Sequence, residues 1–518
     1  MKRRDGLFTQ VASVILLALA SAGAYLAFSA ARGSVGFALD DAWIHQVYAR
    51  NLGTLGEFAF FPGQPSAGST SPLWTILLAL GYIVHLDYHF WTYLLGAVFL
   101  GASAVLCARL AARISGSSLF AVYGSLFTVF EWHLVWSAVS GMEIPLFVFL
   151  SLLLLERFYA HTRAWLIGLI AGLLTLTRPE GVVLAALVAV GVASEVWDAD
   201  HRGQTRRLKG FYSRSSARWH GDNAPLVAAQ NGRAIVRVLL SYGIGLAVII
   251  APYLLFNLAT SGTIFPNTFY AKNVEYASLA RVPFLIRWLQ LLAVPWVGAQ
   301  ILLLPGVVFI GISLAKRRAW RALIPFAWLL ILPALYAARL PVTYQHGRYE
   351  MPIIPFIVIY GIWGTAGLFE RIRFWVVRAT WAISTGVLLG VFWILGANAY
   401  ATDVAIIDCE MVQTAHWVAV NAPANAVVAA HDIGALGYFY PHPFIDLAGL
   451  VTPEVIPFIR DEGRLREYLF SRHATFAIFF PDWYPALASD PHFTPVYQTG
   501  CAVTRAAGGT NMAVYRIR

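Results

Sequence analysis

Two adjacent carboxylates, Asp40 and Asp41, open a segment whose apolar residues at 44, 47, 48 and 52 recur with helical spacing. A helix start stabilises negative charge, and an aspartate there can serve simply as an N-cap. Successive helical residues point about 100° apart, so the two carboxylates cannot share one job. One can cap while the other faces a cavity and takes a proton as a general base. Three cations, Arg178, Lys272 and Arg348, sit among Gly, Pro, Asn or Tyr in Thr177-Arg178-Pro179-Glu180-Gly181, Pro266-Asn267-Thr268-Phe269-Tyr270-Ala271-Lys272-Asn273 and Tyr344-Gln345-His346-Gly347-Arg348-Tyr349-Glu350. Such cations suit a phosphate or pyrophosphate, Arg as a bidentate fork and Lys as a point charge. The plainer alternative is snorkelling to lipid headgroups, or for Arg178 an ion pair with Glu180. Glu143, in Ser140-Gly141-Met142-Glu143-Ile144-Pro145, together with Tyr270, His346 and Tyr349, completes the set as candidate substrate contacts.

The elements that must position these groups are membrane spans. The chain has 518 residues, 58% of them apolar and 12% charged, against about 25% charged in an average soluble domain. That balance excludes a soluble globular protein, a coiled coil and a disordered tail. Apolar runs lie at 7–31, 90–114, 118–137, 143–160, 164–178, 181–197, 236–259, 284–315, 320–338, 353–370 and 376–400. The first follows Met1-Lys2-Arg3-Arg4 and reads as an uncleaved signal-anchor. A shorter run, 72–86, is ambiguous between a span and an interfacial helix.

Parity resolves it. If 72–86 does not cross, 22 of the 37 cations fall on the side of the N-terminus, including the eight of the stretch 202–237, and 8 fall in outer loops. A crossing would turn that eight-cation loop outward, against the positive-inside rule. The expectation is therefore about eleven crossings, with the N-terminus cytoplasmic and the C-terminus exterior. The net charge of +10 is then mostly topology charge and does not indicate a nucleic-acid partner. On the outer face, 40–52 reads as an amphipathic interfacial helix. Ser71 and Pro72, in Gly68-Ser69-Thr70-Ser71-Pro72-Leu73-Trp74, read as N-cap and first residue of the non-crossing helix.

After Tyr400 short β-rich runs at 426–430 and 474–480 alternate with turn signals and a helix around 461–471, so 401–518 reads as an exterior α+β or α/β domain beside a 1–400 transmembrane module. Within the latter, the first exterior loop is 32–89. Cys409 and Cys501 both fall in the exterior part, where a bridge is permitted and two unpaired buried thiols are the alternative. No internal repeat, Walker loop, dinucleotide fingerprint or zincin helix is present. His85 and His89 are lone histidines, and a turn containing Gly434 and Gly437 accounts for His431-Asp432. No residue set names a metal, although a divalent cation is compatible with the pattern. Trp417, Trp483 and Tyr484 read as glycan contacts or as ordinary core and surface aromatics.

The ordered set of the Asp-Asp start, Gly68-Ser69-Thr70-Ser71-Pro72-Leu73-Trp74, Thr177-Arg178-Pro179-Glu180-Gly181, Asn267-Thr268-Phe269-Tyr270-Ala271-Lys272, His431-Asp432-Ile433-Gly434-Ala435-Leu436-Gly437-Tyr438 and Ile445-Asp446-Leu447-Ala448-Gly449-Leu450 resembles the GT-C membrane glycosyltransferases. Within them it is most similar to the group around the mycobacterial terminal β-(1→2) arabinofuranosyltransferase, over residues 40 to about 452. The resemblance implies transfer of a pentose or hexose from a polyprenyl-monophosphate donor to a cell-envelope glycan or lipid acceptor at the outer face of the cytoplasmic membrane. It also implies that an acidic residue of the first exterior loop is the catalytic base, with Asp40 in that role and Asp41 as helper. A transporter or flippase of a polyprenyl-linked glycan is the alternative. Such a protein needs polar groups near the midplane, whereas the runs are nearly uncharged apart from Glu131 and Glu156.

Overall fold

The computed structural model describes residues 2–115, 118–201, 232–372 and 374–518. Positions 202–231 of the basic stretch, and Arg373, lie outside the described residues.

The chain is a multi-pass helical membrane protein carrying a small mixed sheet near its C-terminus. Among the described residues seven helices are long and apolar enough to cross a membrane, and shorter apolar helices such as Ala164–Thr177 and Gly181–Glu195 occupy further predicted runs. Pro72–Ile83 has only 12 residues and begins with Pro72 at its first position. Ser71 Oγ, the expected cap, makes no capping bond and is buried without a partner.

Two apolar runs that look continuous in the sequence are broken. The run 118–137 divides at Glu131 into Ser118–Phe130 and Trp132–Val139. The Glu131 carboxylate caps the second helix through Leu134 N at 3.0 Å, holds His133 Nδ1 at 2.7 Å and accepts from Gln300 Nε2 at 3.2 Å. A fully buried carboxylate is tolerated because these partners satisfy it. The run 284–315 divides into Phe284–Ala293 and Leu304–Lys316, joined by 3-10 turns around Pro295 and a positive-φ Gly298. In contrast, the last apolar run does not stop at 400. Its helix runs Trp375–Ile407 and passes through a π-turn, Asp408–Val412, into Gln413–Asn421.

Strands β1 (Ala59–Phe61) and β2 (Gln64–Pro65) form a short antiparallel pair, and a separate small sheet pairs β3 (Val428–Ala430), β4 (Ile445–Asp446), β5 (Phe476–Phe479), β6 (Phe493–Gln498) and β7 (Ala513–Ile517) in the order β4-β3-β5-β7-β6. The first pairings, β4 with β3 and β3 with β5, are parallel, and the rest are antiparallel. The predicted runs at 426–430 and 474–480 thus become neighbouring strands, and the helix expected around 461–471 is Glu462–Ser471. The π-turn is fastened to this sheet twice. Cys409 and Cys501 form a disulfide with Cα atoms 6.0 Å apart, and the adjacent, fully buried Glu410 accepts from Asn511 Nδ2 at 2.7 Å and Met512 N at 2.8 Å. The Glu462–Ser471 helix also fills the sheet's own apolar core through Leu465 and Leu469.

The helix Asp40–Leu55 has no bare polar face of the kind an interfacial helix would show. It is buried around most of its circumference, between Pro72–Ile83 and the short helix Gly434–Phe439. Gly434 makes the second packing possible. A Cβ there would lie 2.0 Å from the backbone oxygen of Asp40, so any larger residue would force the two helices apart.

Candidate active site

The two aspartates part company at the first turn of Asp40–Leu55. Asp40 is turned to the C-terminal region, where its oxygens accept from Gly434 N at 2.7 Å and Ala435 N at 2.8 Å. Ten residues on, Arg50 donates to the carbonyls of Tyr438 at 2.7 Å and Gly437 at 3.3 Å. The short helix is thus held at its N-terminus by a carboxylate and at its C-terminus by a guanidinium, matching its dipole at both ends. Asp40 does cap a helix, but one almost 400 residues away rather than its own. Burial raises its carboxyl to about 6 against the opposing pull of the two backbone N–H groups, and Asp41 adds to the rise.

Asp41 faces the cations. Its Oδ2 accepts from Arg348 Nη2 at 2.6 Å and from Lys272 Nζ at 3.4 Å. The same two cations donate to Tyr349 Oη, at 3.0 Å from Arg348 and 3.3 Å from Lys272. Burial alone would raise the Asp41 carboxyl, but Lys272 and Arg348 outweigh it and hold the group below the ordinary carboxylate range. Lys272 responds reciprocally. Burial works against its charge, and Asp41 more than compensates, keeping the ammonium protonated. Arg348 is 2% exposed, and its Nη1 is buried with no hydrogen-bond partner. A buried guanidinium with one arm unused is a half-filled fork for an anion.

The backbone that delivers Arg348 is strained. Gln345 (φ 55°, ψ 47°), His346 (φ 58°, ψ 25°) and Gly347 (φ 66°) form a left-handed turn. For a residue with a Cβ this conformation costs roughly 1–2 kcal/mol, and it persists where surrounding contacts over-determine it. Here His346 Nε2 meets Asp403 Oδ2 at 2.8 Å, and its ring lies edge-on to Trp132 and Trp136 at 5.4 and 5.2 Å. Trp136 Nε1 donates to the same Asp403 oxygen at 2.8 Å. His346 therefore anchors the turn against the last long helix.

Arg178 stands one layer behind. It is buried and engaged by Glu180 through Nε, by Glu143 at 3.1 Å and by Tyr336 Oη at 2.7 Å. His45, on the Asp40–Leu55 helix, reaches the other Glu143 oxygen at 3.3 Å. The Tyr349 ring packs near both guanidinium groups, 5.2 Å from Arg178 and 4.9 Å from Arg348. Glu143 and Arg178 thus belong to the wall that supports Tyr349. Tyr270 packs edge-on to Phe269 at 5.4 Å, and among the described residues no polar contact joins it to Asp41, Lys272 or Arg348.

The C-terminal region contributes to the site as well. Glu275 lies one helical turn beyond Lys272 on Asn267–Glu275, and it meets His431 Nε2 at 3.6 Å and Arg460 at 3.2 Å. Asp432 follows directly. Burial, then Asp40, Asp41 and Glu275, push its carboxyl well above the ordinary range, and its Oδ2 has no hydrogen-bond partner. The sequence signal is a carboxylate two residues before Gly434-Ala435-Leu436-Gly437, a stretch that reads as a turn and forms the start of the helix Gly434–Phe439. The other motif residues join the loops together: Asn267 N donates to Ala67 O at 2.9 Å, Thr268 Oγ1 to Gly68 O at 2.6 Å, and Asp446 accepts from Ala448 N and Val451 N, each at 2.8 Å. Among the described residues no group of three or more His, Cys, Asp or Glu side chains is placed to hold a metal ion.

Residues 397–515 match a protein-family profile described as a domain of unknown function, DUF8728. No curated protein matches the chain in sequence. Among solved structures the chain is similar to ArnT from Cupriavidus metallidurans bound to undecaprenyl phosphate, at 14% identity and TM-score 0.59, with 98% of each chain covered. It is also similar to the apo state of that protein, at 14% identity and TM-score 0.55, with 92% of this chain and 93% of the other covered. At that identity the likeness shows the fold alone: over nearly all of its length the chain shares the helical membrane architecture of those structures, followed by a C-terminal region that carries the small sheet.

Proposed function

We propose that this protein is a membrane glycosyltransferase that moves a sugar from a polyprenyl-monophosphate donor to a cell-envelope glycan or lipid acceptor. The observation that carries the reading is the convergence of Arg348, with its unpaired Nη1, and Lys272 on the single carboxylate of Asp41 and on the hydroxyl of Tyr349. A lipid phosphate needs such donors, and the fold it shares with a protein bound to undecaprenyl phosphate supports that donor class.

The assignment of roles follows the geometry. Arg348 and Lys272 hold the donor phosphate, and Tyr349 donates a third hydrogen bond. As the acceptor hydroxyl attacks the anomeric carbon, the bond from that carbon to the phosphate oxygen breaks and its electron pair leaves with the phosphate, where the cations stabilise it. The hydroxyl proton passes to Asp41. The products are the glycosylated acceptor and polyprenyl monophosphate. Asp41, rather than Asp40, is the base in this reading, since Asp40 is occupied by Gly434 and Ala435. While Asp41 shares its oxygen with both cations it is a weak base. A phosphate that draws Arg348 and Lys272 toward itself strengthens it, so basicity rises when donor is bound. Arg178, Glu143 and His346 position the site, and Tyr270 stays outside it. The resemblance to arabinofuranosyltransferases favours a pentofuranose as the sugar.

In the same reading, 1–400 forms the catalytic membrane module in the cytoplasmic membrane, with a cytoplasmic N-terminus, and 401–518 lies outside. A reporter fused after Ser215 should signal from the cytoplasm, and an exterior signal refutes that orientation. For function, lipid copurifying with the protein should be identified by mass spectrometry as a polyprenyl phosphate or its glycosylated form. Its absence, together with full transfer activity of Asp41→Asn, overturns the proposal.

A further inference from the structure

The exterior sheet has a topological feature that the lipid-phosphate site does not use. From β3 the chain goes to β4 on one side and then returns to β5 on the other, so the strand order reverses between β3 and β5. In open sheets with parallel strands, ligands bind outside the carboxyl ends of the strands at such a reversal. The residues leaving those two ends are His431 and Asp432 after β3, and 480–483 after β5. The pairing of Ala430 with Ile478 places the two ends side by side.

What stands there is a rigid aromatic among hydrogen-bonding groups. Trp483 is 42% exposed, and its ring lies edge-on to His431 at 5.0 Å. His431 is itself fixed by Tyr484 Oη at 2.7 Å and by Glu275 at 3.6 Å. Tyr484 is buried, and Trp417 is stacked on Tyr497 at 5.0 Å, so of the three aromatics singled out in the sequence only Trp483 offers its ring to a ligand at this crevice. Around it are Asp432 with its unpartnered oxygen, Glu275 and Arg460. The crevice is contiguous with the lipid-phosphate site, because Glu275 is three residues, a rise of about 4.5 Å, along the same helix from Lys272.

We propose that this crevice is the acceptor subsite and that it takes an uncharged oligosaccharide, one ring lying on Trp483 and hydroxyls of the next bonding to Asp432 and Glu275. This rests on the reading that Asp41, Arg348 and Lys272 handle a lipid-phosphate sugar. A sugar ring presents a face of C–H groups to an aromatic and an edge of hydroxyls to carboxylates, which is the pattern here. At the crevice itself Asp432 and Glu275 against the single Arg460 disfavour a phosphorylated acceptor, since Arg348 and Lys272 serve Asp41 and the lipid phosphate. Asp432 then lies between the stacked ring and Asp41, where it orients the hydroxyl that is to be glycosylated.

The test uses the full-length protein in detergent and two probes measured in parallel: a panel of neutral hexasaccharides (α-glucan, α-mannan and α-arabinofuranan) and undecaprenyl phosphate. At least one hexasaccharide should bind the wild type, Trp483→Ala should weaken that binding at least tenfold, and Trp483→Phe should retain it within about threefold. Asp432→Asn should weaken it less than Trp483→Ala does. Undecaprenyl phosphate affinity and melting temperature should be the same in Trp483→Ala as in the wild type. Failure of every hexasaccharide to bind, or equal binding by Trp483→Ala, overturns the proposal. Failure of undecaprenyl phosphate alone to bind the wild type overturns the donor reading and leaves a carbohydrate site standing.

Discussion

Asp40 and Gly434 are 394 residues apart in the chain and 2.7 Å apart in space, carboxylate oxygen to backbone nitrogen. Through this bond and its neighbour at Ala435 the helix Asp40–Leu55 holds the C-terminal region that brings Asp432 to the site. Removing the Asp40 carboxylate leaves two buried N–H groups unsatisfied, at about 1–3 kcal/mol each. Asp40→Ala should therefore lower the melting temperature and open the C-terminal region to limited proteolysis. Gly434→Ala should do the same, since its Cβ meets the Asp40 backbone. If either variant resists protease as the wild type does, the latch is unimportant.

The latch should also respond to pH. The Asp40 carboxyl is raised by burial from 3.8 to about 6, so between those values the folded protein holds a proton that the unfolded chain has lost. Stability from this group is full below the ordinary carboxylate range and declines as pH rises through about 6. The melting-temperature difference between wild type and Asp40→Asn should accordingly narrow from pH 4 to pH 7. A difference that widens over that window contradicts the assignment.

Asp41 and Arg348 separate chemistry from binding. Asp41→Asn should cut sugar transfer by about 10²–10⁴-fold, the usual loss for a general base. Undecaprenyl phosphate should bind it at least as tightly as the wild type, because Arg348 and Lys272 lose their competing carboxylate. Transfer rates and lipid affinity measured on one preparation decide the point, and a parallel loss of both would show that Asp41 only maintains the site.

Arg348→Lys should weaken undecaprenyl phosphate by about tenfold or more, since an ammonium cannot bond Asp41, Tyr349 and a phosphate in the planar fork that Arg348 offers. Lys272→Ala should act in the same direction. Equal affinity in Arg348→Lys, by titration in detergent, would place the phosphate elsewhere.

The disulfide between Cys409 and Cys501 closes a segment with a sequence separation of 92 and ties the π-turn to the five-stranded sheet region. A loop of that length contributes about 4.6 kcal/mol in the chain-entropy account. Cys409→Ser with Cys501→Ser should therefore lower thermal stability, and protease mapping should show new cleavage within 402–518 rather than in the membrane helices.

Apolar periodicity and charge made the membrane class legible from the sequence, because burial in lipid imposes a composition that no soluble surface shares. Pro72 at a helix start, the helix near 461–471 and the neighbouring β runs were likewise written in local residue chemistry. The break at Glu131 was not, since its carboxylate depends on partners such as Gln300 that lie more than a hundred residues away in the chain. The division of labour within Asp40-Asp41 was half legible. Helical geometry requires neighbouring side chains to diverge, so one had to bind structure and the other to face the site. Which did which was decided only when Gly434 packed against the helix start and Lys272 and Arg348 arrived on its other side. The same holds for Asp432, which reads locally as part of a turn and acquires its meaning from Asp41 and Glu275. Local sequence determines an element's type through interactions within a few residues. The site is an assembly of loops from four distant parts of the chain, and only tertiary packing fixes the distances over which charges act.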